Sequence, residues 1–273
     1  MINKIIWMYW NGGYESMSEL SKMCVESWKV YNSDWEFRLV DDSSVSEYFD
    51  LEGWMKNTLP NDKPLLDGCK KSEVLRINLI NKYGGVYADA DVFCCKPLNE
   101  WIHDMNPQGN FVALELLYDK LMTGNERQVE SWFLASKQNS YISEKYCSEV
   151  DNYWKTRNKT KTYFWFHYLF SKMYKSDECV RRHYDSCKKL SAWKCSSLRD
   201  CKWDRTPFYK KPGPNVYERL MTKQEPIYKL NRRDEVFDWN KPIGKRKKIG
   251  NFEEGCVLDI LINLMNEYKN NDS

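Results

Sequence analysis

The stretch Lys82 to Leu98, KYGGVYADADVFCCKPL, limits what this chain can fold into more than any other part of it. A glycine pair is followed by a β-branched and aromatic run that ends in two aspartates, Asp89 and Asp91, with only Ala90 between them. A buried strand has no use for carboxylates, because an ionised group taken out of water needs a compensating charge or donor. Strand alternation puts both acids on one face. There they repel unless a cation or donors lie between them. Mg²⁺ or Mn²⁺ meets that need, since such hard ions take one or two carboxylates and complete their shell with water and substrate phosphates. The carboxyl end of a strand in an open α/β sheet is also where ligands bind. The pattern therefore suggests a metal-held diphosphate. The ordinary alternative is a surface Asp pair, because a bare Asp-x-Asp matches often by chance.

The surrounding elements support an α/β layout. KIIWMYW, Lys4 to Trp10, is a buried strand by composition, and Asn11 to Gly13 turns the chain. Leu20, Cys24 and Trp28 follow at helical spacing, with Ser16 or Ser18 as the cap. WEFRLVDD, Trp35 to Asp42, is a second strand ending in acids. Strand, helix, strand is the start of an α/β sheet. Val74, Leu75, Asn78, Leu79 and Lys82 fall on helical spacing, and Gly84 and Gly85 close that helix. NFVALELLY is a further short strand. Gly124 and Asn125 lead into ERQVESWFLASKQ, and a longer helix follows from Ser140 to Lys155. Tyr163 to Tyr174 is a helix with an apolar face, and KKPGPNVYERLM is a Pro/Gly loop feeding a short helix. PIYKL is a late strand, Cys256 to Tyr268 an amphipathic helix, and the tail KNNDS is expected to fray.

Composition excludes several classes. A chain of 273 residues with 42% hydrophobic residues can build a core, and a net charge of only +3 argues against wholesale disorder. No apolar run approaches the ~18 residues of a membrane-spanning helix, and MINKIIWMYW reads as a first strand rather than a signal peptide. The ten cysteines include no C-x-x-C pair; Cys179, Cys187, Cys195 and Cys201 are spaced more widely than structural zinc sites prefer. Free thiols in a reducing compartment are the simpler expectation. From Ser171 to Lys211 twelve basic residues face five acidic ones, and Lys241 to Gly250 adds five bases and no acid. Such stretches are either solvated faces or surfaces for a phosphate-bearing or membrane-bound acceptor. No recognition motif for nucleic acid accompanies them, so none is expected as a partner.

Other residues can join Asp89 and Asp91. Glu73 and Arg76 share a helix face, as a surface ion pair or as ligands of a sugar hydroxyl and a phosphate. Asp41 and Asp42 end the second strand, where they accept from a ribose or base or cap the next turn. Trp10 stacks on a base or belongs to the core, and Gly12 and Gly13 permit close backbone approach to a ligand or simply form a turn. Of the three histidines, His167 sits in an aromatic helix and reads as core or pocket lining. G-x-S-x-G, Walker A and G-x-G-x-x-G motifs do not occur, so hydrolase triads and dinucleotide folds have no support.

Together these segments resemble the DXD-containing glycosyltransferases, which include initiating mannosyltransferases and capsular polysaccharide synthesis proteins. SEVLRINLINKYGGVYADADVFCCKPL carries the resemblance most specifically. KIIWMYWNGG, CVESWKVYNSDWEFRLVDD, NERQVESWFLASKQNSYISEKYCSEVDNYW, YFWFHYLFSKMYKSDE and PGPNVYERL extend it, from about Lys4 to Leu230. It implies a GT-A fold: a Rossmann-like central mixed sheet flanked by helices, with a helical and loop-rich C-terminal half. One GT-A domain would span 1–240, with an acceptor-side helical insertion around 140–211. Residues 241–273 would form a basic segment and a C-terminal helix on the same domain.

The resemblance also implies a nucleotide-sugar donor, UDP- or GDP-linked, and a divalent metal, Mn²⁺ or Mg²⁺. Asp89, Asp91 and Arg76 match its catalytic positions. Asp91 is the more direct metal ligand, and Asp89 lies nearer ribose and sugar. Trp10, Gly12, Gly13, Asp41, Glu73, Arg76, Asp89, Gly213 and Pro214 match its donor site, with Glu73 standing where aspartate is common. Many relatives carry a C-terminal His-containing and Ser-Trp segment that completes the metal site; it is not found here, and Asp238 or Asn240 is the substitute ligand expected instead. The expected reaction is transfer to a hydroxyl of a glycan, glycoprotein or lipid-linked glycan, with retention, by a front-face route. The expected location is cytoplasmic, with peripheral contact at the cytosolic membrane face. The rival classes are a metal-dependent nucleotidyl- or phosphotransferase and a catalytically weak nucleotide-sugar-binding domain.

Overall fold

The computed structural model describes residues 1–60, 66–116, 127–157, 159–198, 206–230 and 252–271. Its strands are β1 (Ile5–Tyr9), β2 (Glu36–Val40), β3 (Gly85–Ala88), β4 (Val92–Cys94), β5 (Val112–Glu115), β6 (Val129–Ser136) and β7 (Ile227–Lys229). The chain divides into two compact units. The first comprises residues 1–17, 34–89 and 102–192, and the second 18–33, 90–101 and 193–273.

The first unit is built on a five-stranded sheet in the order β2-β1-β3-β6-β5. β1 runs parallel to both β2 and β3, while β6 is antiparallel to β3 and β5. Ile6, Trp7 and Met8 are fully buried, as a central strand covered on both faces requires. β2 lies at the edge and exposes Glu36. β6 lies within ERQVESWFLASKQ and is the longest of these strands, eight residues whose inner members Phe133, Leu134 and Ala135 are fully buried.

The Gly68–Tyr83 helix begins where Asp67 accepts from the Lys70 backbone N–H at 2.9 Å. It buries Val74, Leu75, Ile77, Leu79 and Ile80 and stops at Gly84, whose φ is 71°. The second glycine of the pair has a different task from the expected helix stop. Gly85 opens β3 at φ 98°, and a Cβ there would lie 2.4 Å from the Ile5 carbonyl oxygen. The sheet therefore closes around β1 and β3 only with glycine at that position.

The Tyr141–Lys155 and Trp165–Ser176 helices cover this unit with rings. Tyr146 stacks on Phe166 at 4.3 Å, Tyr153 on Trp165 at 4.8 Å, and Phe111 on Phe170 at 5.7 Å. Such pairs add about 0.5–1.5 kcal/mol each beyond their burial. His167 belongs to this layer, 4% exposed, with Nε2 3.3 Å from Glu130 Oε2.

The second unit pairs β4 with β7 antiparallel, with Val92 opposite Lys229. The Glu19–Tyr31 helix is capped by Ser18 rather than Ser16. Trp28 Nε1 donates to the Val92 carbonyl at 2.8 Å, and Ser27 Oγ accepts from the Cys94 N–H at 2.9 Å. Tyr31 donates to the Leu264 carbonyl of the Val257–Asn271 helix at 3.1 Å. That helix ends at Asn271, and Asp272 and Ser273 of the KNNDS tail lie outside the described residues. The nine described cysteines are free thiols, and among the described residues no helix is long and apolar enough to cross a membrane.

Candidate active site

Three adjacent parallel strands end together in the first unit, and each is followed at once by a residue expected in the donor site. Trp10 follows β1, Asp41 follows β2 and Asp89 follows β3. The carboxyl ends of parallel strands converge there because β1 is flanked by β2 and β3 in one register.

The strand expected from VYADAD stops at Ala88. Asp89 makes one more ladder bond, its N–H donating to the Trp132 carbonyl at 2.9 Å, and Ala90 and Asp91 form a turn into β4. The acids thus sit on a connection between strands of two different sheets, and strand alternation does not govern their directions. Each has its own basic partner. Asp89 Oδ1 accepts from Arg76 at 3.1 Å, within the first unit. Asp91 Oδ1 accepts from Lys229 Nζ at 2.7 Å, within the second, where the Asp91 carbonyl also accepts from the Leu230 N–H at 2.9 Å.

Arg76 is buried at 5% exposure and is no surface ion-pair residue. Its Nε–H donates to the Ser72 carbonyl at 3.2 Å. One terminal nitrogen donates to the Ser131 carbonyl and hydroxyl, both at 2.7 Å, and the other to the Ser72 hydroxyl at 2.6 Å and to Asp89. A guanidinium has five N–H donors, so this set engages them all. The ring faces of Tyr87 and Phe166 lie 5.1 and 5.8 Å from its central carbon. Burial opposes its charge, but Asp89, Tyr87 and Glu73 outweigh burial and hold it well above the usual arginine range. Arg76 therefore orients Asp89, and contact with a phosphate requires that one of these bonds be exchanged.

Glu73 lies one helical turn earlier and is half-buried. Its Oε2 accepts from Trp165 Nε1 at 2.5 Å. Burial pushes its carboxyl up to about 7, against the opposing pull of Arg76 and the Trp165 bond. The same rise would keep a fraction of this acid protonated near neutrality.

At the ends of β1 and β2 the expected residues meet. Trp10 Nε1 donates to Ser16 Oγ at 2.9 Å, and Ser16 Oγ donates to the Gly13 carbonyl at 2.9 Å. A Cβ on Gly12 would lie 2.4 Å from Ser16 Oγ, and one on Gly13, at φ 72°, would lie 2.9 Å from Asp41 Oδ2. Both glycines are thus needed for packing within the turn as well as for its shape. Asp41 Oδ1 accepts from the backbone and hydroxyl of both Ser43 and Ser44, so this acid caps its own turn. The Ser43 hydroxyl is the largest of the effects holding its carboxyl below the usual range. Asp42 accepts from Tyr9 at 2.5 Å and from Lys71 at 2.8 Å, which joins both strand ends to the Gly68–Tyr83 helix.

Gly213 and Pro214 belong to the second unit, where Pro214 opens the Pro214–Met221 helix at its first position. Asp238 and Asn240 lie outside the described residues, as does the basic run 241–250. Sequence reasoning did not single out Ser72, Ser131, Trp165 or Lys229. Ser72 stands at i−4 from Arg76 on the same helix face and was open to that argument; the others are distant in sequence.

Asp89 and Asp91 suit a hard cation held through one or two carboxylates, with water and diphosphate oxygens supplying the rest. Among the described residues no group of three or more His, Cys, Asp or Glu able to hold a metal occurs.

The fold is α/β of the GT-A type. Over 97% of this chain and 50% of the other, it superposes on apo WbbM, a bifunctional glycosyltransferase, with a TM-score of 0.51 at 11% identity. The apo form of the glycosyltransferase GlyE from Streptococcus pneumoniae TIGR4 gives 0.47 at 10% identity, over 99% of this chain and 64% of its own. Residues 1–239 match the family described as capsular polysaccharide synthesis protein, and the chain belongs to that family. FCK3, a probable glycosyltransferase of Fusarium pseudograminearum (strain CS3096), is 23% identical over 167 residues, which cover 56% of this chain and 40% of that protein. The chain thus matches less than half the length of this relative.

Proposed function

We propose that this chain is a glycosyltransferase that moves a sugar from a UDP- or GDP-linked donor to a hydroxyl of a glycan or glycoconjugate, with Mn²⁺ or Mg²⁺ bound at Asp89 and Asp91. The observation that carries the reading is the placement of Trp10, Asp41 and Asp89 directly after three adjacent parallel strands. That edge of an α/β sheet is where nucleotides bind. Family membership and the name of the curated relative support the same class.

In this reading the Trp10–Gly13 turn and Asp41 receive the nucleoside. Glu73 accepts from a sugar hydroxyl. Arg76 holds the Asp89 carboxylate in place and adds positive potential near the diphosphate. When bound, the cation supplies Lewis-acid neutralisation of the leaving diphosphate's charge. Orientation of donor and acceptor by the chain supplies the remaining advantage. Retention by a front-face route is the stereochemical part of the proposal, with the leaving phosphate taking the acceptor's proton. An anomeric NMR assay giving the inverted product would eliminate it.

The acceptor is proposed to be a glycan, glycoprotein or lipid-linked glycan. The cytoplasm is the proposed location, supported by the nine free thiols among the described residues, with peripheral contact at the cytosolic membrane face. Turnover of a panel of UDP- and GDP-sugars with Mn²⁺ tests the whole reading. Nucleoside diphosphate plus a glycosylated acceptor supports it, whereas release of pyrophosphate indicates nucleotidyl transfer. Asp91→Ala should abolish metal-dependent transfer, and undiminished turnover would remove Asp91 from the site.

A further inference from the structure

Trp165 and Glu73 are 92 positions apart, yet the indole N–H meets the carboxylate at 2.5 Å. Both belong to the first unit. The indole is fixed on its other sides. Trp165 is 2% exposed, stacks on Tyr153 at 4.8 Å with 29° between the planes, and meets Trp154 edge-on at 5.2 Å. Its neighbour Phe166 stacks on Tyr146 at 4.3 Å and presents its ring to Arg76 at 5.8 Å. Two consecutive residues of the Trp165–Ser176 helix therefore contact the two polar residues, Glu73 and Arg76, that the Gly68–Tyr83 helix contributes to the site. Glu73 Oε1 makes no hydrogen bond among the described residues.

We propose that Trp165 is a positioning residue that clamps one oxygen of Glu73 so that the other is held ready for a hydroxyl of the donor's sugar. The inference rests on the transferase reading in taking a nucleotide sugar as the ligand. An unclamped glutamate samples several rotamers and loses that freedom on binding. A carboxylate already fixed by the N–H of a packed indole has lost that freedom before the ligand arrives. Glutamate has one methylene more than the aspartate common in the resembling family, and the Trp165 bond gives that extra reach a fixed end point. Trp165 thereby acts on donor selection from a helix whose sequence suggested only core and acceptor roles.

The test uses the full chain. In ¹H–¹⁵N spectra the Trp165 indole signal is identified by its absence from Trp165→Phe. It should move in Glu73→Ala while the other indole signals stay; an unmoved signal overturns the clamp. Calorimetric binding of UDP, GDP, UDP-glucose, UDP-galactose, UDP-N-acetylglucosamine and GDP-mannose with Mn²⁺ then reads its consequence. Trp165→Phe should bind the nucleoside diphosphate like wild type and the matching nucleotide sugar about tenfold more weakly, the size expected for one charge-assisted hydrogen bond. The Glu73→Ala, Trp165→Phe double variant should be no weaker than Glu73→Ala alone, because alanine leaves the indole nothing to hold. Equal losses for both ligand classes, or no loss for the sugar, overturn the role of Trp165 while wild type still binds its donor. A wild-type chain that binds none of the four nucleotide sugars overturns the transferase reading, and the sugar-facing role of Glu73 with it.

Discussion

Lys229 Nζ lies 2.7 Å from Asp91 Oδ1, so the acid expected to hold a metal carries a built-in cation on the neighbouring strand. The pair is mostly buried, the two side chains being 19% and 13% exposed. A metal bound at Asp91, as proposed, would have to compete with this lysine for one carboxylate. Arg76 stands in the same relation to Asp89 and is the more deeply buried of the two bases.

Lys229→Met removes the ammonium that donates to Asp91 Oδ1. Removing one member of a buried pair costs up to about 3–5 kcal/mol, and partial exposure places this case at or below the lower end. Without metal the variant should melt below wild type. Mn²⁺ should then raise its midpoint more than that of wild type, because the ion no longer displaces an ammonium. Differential scanning fluorimetry with and without Mn²⁺ reads both effects, and equal Mn²⁺ shifts would count against a metal at Asp91.

Arg76→Lys keeps the charge but offers three donors where five acceptors wait. It should destabilise the chain by about 3 kcal/mol. A double-mutant cycle with Asp89→Asn in urea should show coupling between the two sites. Additive losses would mean that Arg76 does not hold Asp89.

Glu73 should give a pH signature. Its carboxyl rises from 4.5 to about 7 in the folded chain, chiefly through burial. The folded state then binds more protons than the unfolded state between those values. Stability therefore falls as pH rises through that window. Glu73→Gln lacks this component, so its urea midpoint relative to wild type should improve from pH 5 to pH 8. A constant difference across that range would show that Glu73 titrates normally.

Gly85→Ala places a Cβ 2.4 Å from the Ile5 carbonyl and forces φ 98° on an L-residue. Strain of this kind costs about 1–3 kcal/mol, and the backbone clash adds to it. Gly53→Ala is a useful comparison, because the close atoms there belong to the side chain of Asp50 at the helix cap. Chemical denaturation should rank Gly85→Ala as the more damaging change, and the reverse order would mean that β1 and β3 have room to separate.

Much of this protein was settled by local chemistry. Apolar spacing and caps located β1, β2, the Gly68–Tyr83 helix and the Ser140-capped helix, because those signals act within a few residues. The ends of β1 and β2 were marked in the same way, by Asn-Gly-Gly and by Asp41-Asp42, whereas β3 was expected to run on through Asp91 and stops at Ala88. Only the folded chain decided what compensates the acids. Lys229 in PIYKL looks like any surface lysine until antiparallel pairing sets it opposite Val92, beside Asp91. Trp165 looks like core until its helix brings the indole N–H to Glu73. Partners 138 and 92 positions apart leave no periodic trace. A charge or a donor is chosen by whichever strand or helix the sheet order brings alongside, and that order is set by the packing of the whole chain.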